Sequence, residues 1–187
     1  MLFEKLKISG SWLVAAPKIE DSRGSFSELF KYEEIFSETG QEFRVAQANT
    51  SISRKGALRG LHFSLAAGGQ SKWVGCMSGS LLDVMVDLRK GSPTFLEHVS
   101  YKLDTENQNW LLIPSGVAHG FLALEDETRV IYLLTSKYEP SYEYGVDALD
   151  NSLKIDWPEM NYIRTTKDIE APSVIHYMKE NLLPKYC

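Results

Sequence analysis

Between residues 45 and 136 the chain alternates apolar and polar positions in short runs cut by Gly, Pro, Asn and Asp, the period-two pattern of β-strands. The clearest run sets Leu82, Val84, Val86 and Leu88 against Asp83, Met85, Asp87 and Arg89, between the turn sequences Ser78-Gly79-Ser80 and Lys90-Gly91-Ser92-Pro93. Further strands are expected from about residue 94 to 103, ended by Asp104-Thr105-Glu106-Asn107, from 110 to 113, stopped by Pro114, and from 130 to 135. In the last of these Tyr132 shares a face with Val130 and Leu134. Two stretches carry a helical period instead, 31–38 before Gly40 and 173–183 near the C-terminus. The pattern predicts an all-β fold, a β-sandwich or jelly roll with a few peripheral helices. No repeat, low-complexity tract or linker divides the chain, so one domain over residues 1–187 is expected.

Charge narrows the partners. Twenty Lys+Arg against 25 Asp+Glu leave a formal charge of −5. That excludes a global positive field for gathering nucleic acid or an anionic membrane, so any anionic ligand must be held by a local basic pocket. Apolar runs such as Leu81-Leu82 fall far short of the roughly 20 residues of a membrane span. Glu4 and Lys5 interrupt any signal-peptide core, so a cytoplasmic protein is expected. Cys76, in an apolar segment, and Cys187, the last residue, have neither disulfide nor zinc-site spacing and are expected to be free thiols.

Two of the four histidines stand in unusual settings, Arg59-Gly60-Leu61-His62 and Pro114-Ser115-Gly116-Val117-Ala118-His119-Gly120-Phe121. Jelly-roll metal sites often use His-x-His on one strand, because residues two apart face the same way. Here the residue two beyond His62 is Ser64, so a metal is not expected and acid–base chemistry is.

The order and spacing of Asp21-x-Arg23-Gly24-x-Phe26-x-Glu28, Gln47-x-Asn49-x-Ser51, Arg59-Gly60-Leu61-His62, Gln70-x-Lys72, Asp83-Val84-x-Val86-Asp87-Leu88-Arg89-x-Gly91-Ser92-Pro93-Thr94-Phe95, Ile113-Pro114-x-Gly116-x-Ala118-His119-Gly120-Phe121 and Lys167-Asp168 resembles the dTDP-4-dehydrorhamnose 3,5-epimerases from about residue 8 to 172. The resemblance implies a cupin-type jelly roll, a homodimer, no metal and no organic cofactor. The implied substrate is a nucleotide-diphosphate sugar, a 4-keto-6-deoxyhexose on the way to a deoxysugar of a surface polysaccharide such as an O-antigen or of a glycosylated product.

A C4 ketone acidifies the hydrogens at C3 and C5, so inversion needs a base, a holder for the enolate and an acid on the opposite face. By the resemblance His62 is the base, Asp168 its carboxylate partner, Lys72 the charge beside the C4 oxygen and Tyr132 the acid. Arg59 and Arg23 suit a diphosphate, since a guanidinium fork binds two oxygens at once. Gln47, Asn49, His119, Glu143 and Lys167 are implied to hold sugar, phosphates or nucleoside, and Tyr138 to stack on the base. Arg23, Phe26 and Glu28 lie on an N-terminal segment that, by the same resemblance, reaches the neighbouring subunit's site.

The chain departs from the family pattern at His62-Phe63-Ser64, at Leu65-Ala66-Ala67-Gly68-Gly69, at Asp147-Ala148-Leu149-Asp150-Asn151 and at Arg164-Thr165-Thr166. These departures leave open which carbon is inverted and which nucleotide is used. A single-carbon epimerase on another nucleotide sugar, a 3,4-ketoisomerase and a non-catalytic sugar-nucleotide binding protein are the alternatives, with a metal-dependent cupin oxygenase more remote.

Overall fold

In a computed structural model, which describes residues 1–186, thirteen strands form two facing sheets and a separate hairpin. The first sheet has six strands: β1 (Leu2–Lys5), β2 (Trp12–Ala15), β5 (Gln47–Ser53), β7 (Lys72–Ser78), β10 (Asn109–Ile113) and β12 (Thr128–Leu134), in the order β1-β2-β10-β7-β12-β5. The second has β6 (Leu58–Ser64), β8 (Ser80–Asp87), β9 (His98–Asp104), β11 (Val117–Ala123) and β13 (Glu143–Gly145), in the order β13-β6-β11-β8-β9. All named pairings are antiparallel. This is the jelly-roll architecture the alternation predicts, reached by strands well outside residues 45–136. The two short N-terminal strands and β13 carry too few residues for a period to register.

The central strands of both sheets are covered on both faces, and this decides what each strand position means. Between them lie Val74, Leu81, Met85, Leu111, Phe121 and Val130. Behind the second sheet, Leu61, Phe63, Val84, Val86 and Leu122 pack under a C-terminal layer of Val146, Leu153, Trp157, Val174 and Tyr177. Behind the first, Trp73, Trp110 and Val14 meet Ile35 and Phe43 from the helix α1 (Tyr32–Thr39) and the loop after it. The apolar side of β8 therefore faces the C-terminal layer. Its other side, which carries Asp83, Met85 and Asp87, faces the space between the sheets.

Two expected boundaries move for local reasons. The strand expected from residue 94 begins at His98, because Ser92 to Glu97 form a turn around the Asp87 carboxylate. Asp87 Oδ2 accepts from the hydroxyls of Ser92 at 2.6 Å and Thr94 at 2.7 Å, and Arg89 Nε donates to Oδ1 at 2.8 Å. Three donors outweigh burial and hold the Asp87 carboxyl below the usual range. The C-terminal helix α3 spans Val174–Glu180, capped by the Ser173 side chain and stopped at Asn181, whose left-handed φ of 54° ends the helix short of residue 183. A third short helix, α2, is Thr166–Ile169.

The strands β3 (Lys18–Asp21) and β4 (Gly24–Ser27) make a hairpin that joins neither sheet. Ile19 pairs with Phe26 across it, yet they are 57% and 62% exposed. Cys76 is buried and free, its thiol pushed up to about 11 by burial, and Cys187 lies outside the described residues. No helix among the described residues is long and apolar enough to cross a membrane.

Candidate active site

At one end of the inter-sheet space the apolar packing gives way to a cavity of about 300 Å³. A bulge in β6 shapes it. Strand alternation would turn Arg59 and His62, three residues apart, to opposite faces, but both line the cavity. The β6/β11 register explains this: His119 sits opposite His62 and Phe121 opposite Arg59, so three steps on β6 match two on β11. The extra residue re-aims the strand. It falls at Gly60, where φ is 110° and an added Cβ would lie 2.7 Å from Gly120 Cα and 2.8 Å from the His119 carbonyl oxygen. Only glycine fits there.

His62 is held from the C-terminal side. Its Nε2 lies 2.7 Å from Asp168 Oδ1, a pairing across 106 positions of sequence that α2 makes possible. The other oxygen, Oδ2, accepts from the Thr165 hydroxyl at 2.7 Å, while Arg164 anchors the Asp168 carbonyl. Burial pushes the Asp168 carboxyl up, but the hydrogen bonds from His62 and Thr165 prevail and leave it below its ordinary value. A proton on His62 Nε2 can be donated to an ionised Asp168, the arrangement that leaves Nδ1 facing away from the carboxylate as the nitrogen with a lone pair.

The opposite wall comes from the first sheet. Tyr132, on β12, faces in with Leu134 and sits opposite Asn49 of β5. The inward face of β5 is polar, with Gln47 Nε2 donating to Asn49 Oδ1 at 2.9 Å and Ser53 Oγ accepting from Arg59 Nε at 3.0 Å. Gln47 stands outside the cavity lining, where its Oε1 accepts from the Tyr138 backbone N–H at 2.8 Å and so ties down the exposed Tyr138 ring at the rim. Lys72 at the start of β7 is buried, and its Nζ donates to the His62 carbonyl oxygen at 3.2 Å. Burial pulls its pKa down to about 8, against the opposing pull of the Glu143 and Asp83 carboxylates. Gln70 fixes Glu143 by donating to Oε1 at 3.2 Å.

The fold thus brings His62, Lys72, Tyr132, Asp168, Asn49, Arg59, His119, Tyr138, Glu143 and Lys167 to one cavity. It does not bring Arg23, Phe26 or Glu28 there. Arg23 is paired with Asp21 at 2.6 Å and Glu28 with Lys31 at 2.7 Å, on or beside the projecting hairpin. The sequence reading missed Asp83, whose Oδ2 lies 2.7 Å from His119 Nε2, and the supports Thr165, Arg164 and Gln70. Asp83 stands in the quoted motif, but on an alternating strand a polar residue passes for a solvent-facing one.

A two-sheet jelly roll with a His–carboxylate pair on one wall, a tyrosine on the other and a buried lysine between them has the parts for proton transfer at a carbon beside a carbonyl. Comparison with known proteins specifies the kind. The profile of the family described as dTDP-4-dehydrorhamnose 3,5-epimerase matches residues 5–175. The dTDP-4-dehydrorhamnose 3,5-epimerase of Streptomyces griseus is 38% identical over 97% of this chain and 90% of its own. The solved structure of the Mycobacterium tuberculosis epimerase superposes with a TM-score of 0.96 at 38% identity, covering 100% of this chain and 94% of that one. A 3′-monoepimerase from Streptomyces bikiniensis, solved with dTDP-quinovose, reaches 0.93 at 36% identity, over 97% and 92% of the two chains. The chain belongs to the dTDP-4-dehydrorhamnose 3,5-epimerase family.

The buried lysine has a cost. Its pKa in the fold, about 8, is below its ordinary 10.5, so between those values the unfolded chain binds more protons than the native one. The cost to stability is therefore full below pH 8 and fades as pH rises toward 10.5. In urea titrations the wild type is therefore expected to gain stability relative to Lys72→Met as pH rises from about 8 to 10.5, and a difference between the two that stays constant over that range would show that burial of the Lys72 charge carries no such cost.

Proposed function

We propose that the protein inverts carbon stereochemistry next to the C4 ketone of a dTDP-linked 4-keto-6-deoxyhexose. The observation that carries this reading is the placement of His62 and Tyr132 on opposite sheets, across one cavity. A base on one wall removes a proton from one face of the sugar ring, and an acid on the other returns a proton to the opposite face. A ketoisomerase moves its proton along one face and has no need of that opposition.

His62 Nδ1 takes the proton from carbon, and the imidazolium that forms is stabilised by Asp168. Electron density moves to the C4 oxygen, where Lys72 supplies the positive charge that stabilises the enolate more than the ketone. Tyr132 then protonates the carbon from the other side. Arg59 and Lys167 at the cavity supply cations for the diphosphate, and His119, Asn49 and Glu143 supply polar contacts to the sugar. Tyr138, exposed at the rim, offers a face for the thymine base, with Gln47 holding its backbone. Relatives of nearly equal similarity are named for inversion at C3 and C5 or at C3 alone. Inversion at C3 is the step those names share, and it is the step we assign first.

The hairpin suits a dimer. A two-stranded ribbon with its apolar pair exposed is not stable by itself in water. Packing it on a second copy would bury Ile19 and Phe26 and bring Arg23, Phe26 and Glu28 to the neighbour's cavity.

His62→Ala is expected to abolish proton exchange at the sugar carbon while dTDP still binds, and exchange that persists would place the base elsewhere. Tyr132→Phe separates the two half-reactions. His62 should still exchange the proton on its own face while inversion falls by about 100-fold or more, whereas a fully active variant would remove Tyr132 from the acid role. By sedimentation equilibrium the wild type is expected at about twice the 21.2 kDa chain mass, with Phe26→Asp shifted toward monomer. A monomeric wild type at micromolar concentration would contradict the exchanged hairpin.

A further inference from the structure

Besides the base and its partner, the cavity wall carries a second imidazole, His119, whose carboxylate partner Asp83 lies behind the lining. His119 lies directly opposite His62 in the β6/β11 register, so the two rings project from the same face of one sheet. Each is held by a different carboxylate. Asp168 reaches His62 from α2, whereas Asp83 reaches His119 from β8, with Oδ2 at 2.7 Å from Nε2.

Asp83 is not built like a structural carboxylate. Two positions along the same face of the same strand, the comparison is at hand: buried Asp87 is saturated by Arg89, Ser92 and Thr94. Asp83 is 1% exposed, yet among the described residues His119 is the one hydrogen-bond partner of its carboxylate, and its Oδ1 has none. Burying an anion this way costs stability, and an apolar residue would pack β8 more cheaply. Its electrostatic reach includes Lys72, which burial alone would discharge further.

On the reading given above as the proposed function, we propose that Asp83 is a positioning residue for the reaction, its buried carboxylate fixing the His119 ring and serving as counter-charge to Lys72. One anion thereby organises the wall that receives the developing oxyanion, independently of the Asp168 that serves the base. The groups around Lys72 from the neighbouring strands are His62, Asp83, His119, Tyr132 and Glu143. Of the two carboxylates that raise its pKa, Glu143 already has Gln70 as a partner.

Asp83→Asn keeps the shape and an acceptor for His119 but removes the charge. With dTDP-4-keto-6-deoxyglucose as substrate, kcat is expected to fall about 100-fold, with dTDP affinity changed less than about threefold. Without Asp83 the Lys72 pKa drops, so the high-pH limb of the kcat profile should move down by about one pH unit. A folded variant with wild-type kcat, or with an unmoved limb, overturns the proposal. A wild type inactive on this substrate overturns the proposed function and this inference with it, whereas an active wild type with an unaffected variant overturns the inference alone. Should the variant fail to fold, ¹⁵N spectra of the wild-type imidazoles decide. A His119 Nε2 that carries a proton near neutral pH is expected, and an unprotonated Nε2 contradicts the proposal.

Discussion

The close approach of two glycine backbones, Gly60 on β6 and Gly120 on β11, is the constraint on which the site depends. A methyl group on Gly60 would lie 2.7 Å from Gly120 Cα, and one on Gly120 would lie 2.6 Å from the Arg59 carbonyl oxygen. Because neither carries a side chain, β6 can bulge without leaving the sheet. The bulge points Arg59 and His62 into the same cavity and sets His62 beside His119. Arg59, His62 and His119 therefore share one rigid pair of strands, and rigid elements hold such groups to a tighter geometry than loops do.

Around that pair the molecule is layered so that polar groups have somewhere to point. Central strands covered on both faces leave the inter-sheet space as the interior region where a strand can present polar side chains together. The packed end of that space is filled by Val74, Met85, Leu111 and Val130, and the other end holds the charges. Lys72 and Asp83 are both buried, each costly alone and each partly offset by the other. On the proposed function, stability given up here is what would let a small cavity favour an enolate over a ketone.

The same layering explains what the sequence could and could not disclose. Alternation through residues 82–88 announced a strand, but polar positions could not be assigned an inward face while both faces were equally buried, so Asp83 went unnoticed beside His119. Arg59 and His62 were found through the family motif; their spacing of three contradicts strand periodicity unless a bulge is known. The His62–Asp168 pair joins positions that only the fold brings together, and Thr165 and Arg164, which hold the carboxylate, carry no signal beyond being near it. Arg23, Phe26 and Glu28 match the family pattern yet stand on or beside a hairpin away from this chain's cavity, a placement that no pattern within one chain discloses. The short strands β1, β2 and β13 were illegible for want of length, although Val14 of β2 packs in one cluster with Trp110 and Ile35.

The central claim is that base and acid act from opposite walls on a carbon beside the C4 ketone. Incubating the wild type with dTDP-4-keto-6-deoxyglucose in heavy water, and following deuterium at C3 and C5 separately by NMR, tests it most directly. The account predicts deuterium at C3 with inverted configuration, and deuterium at C5 as well if both carbons are inverted. Absence of deuterium from both positions, or its entry with configuration retained, would contradict it.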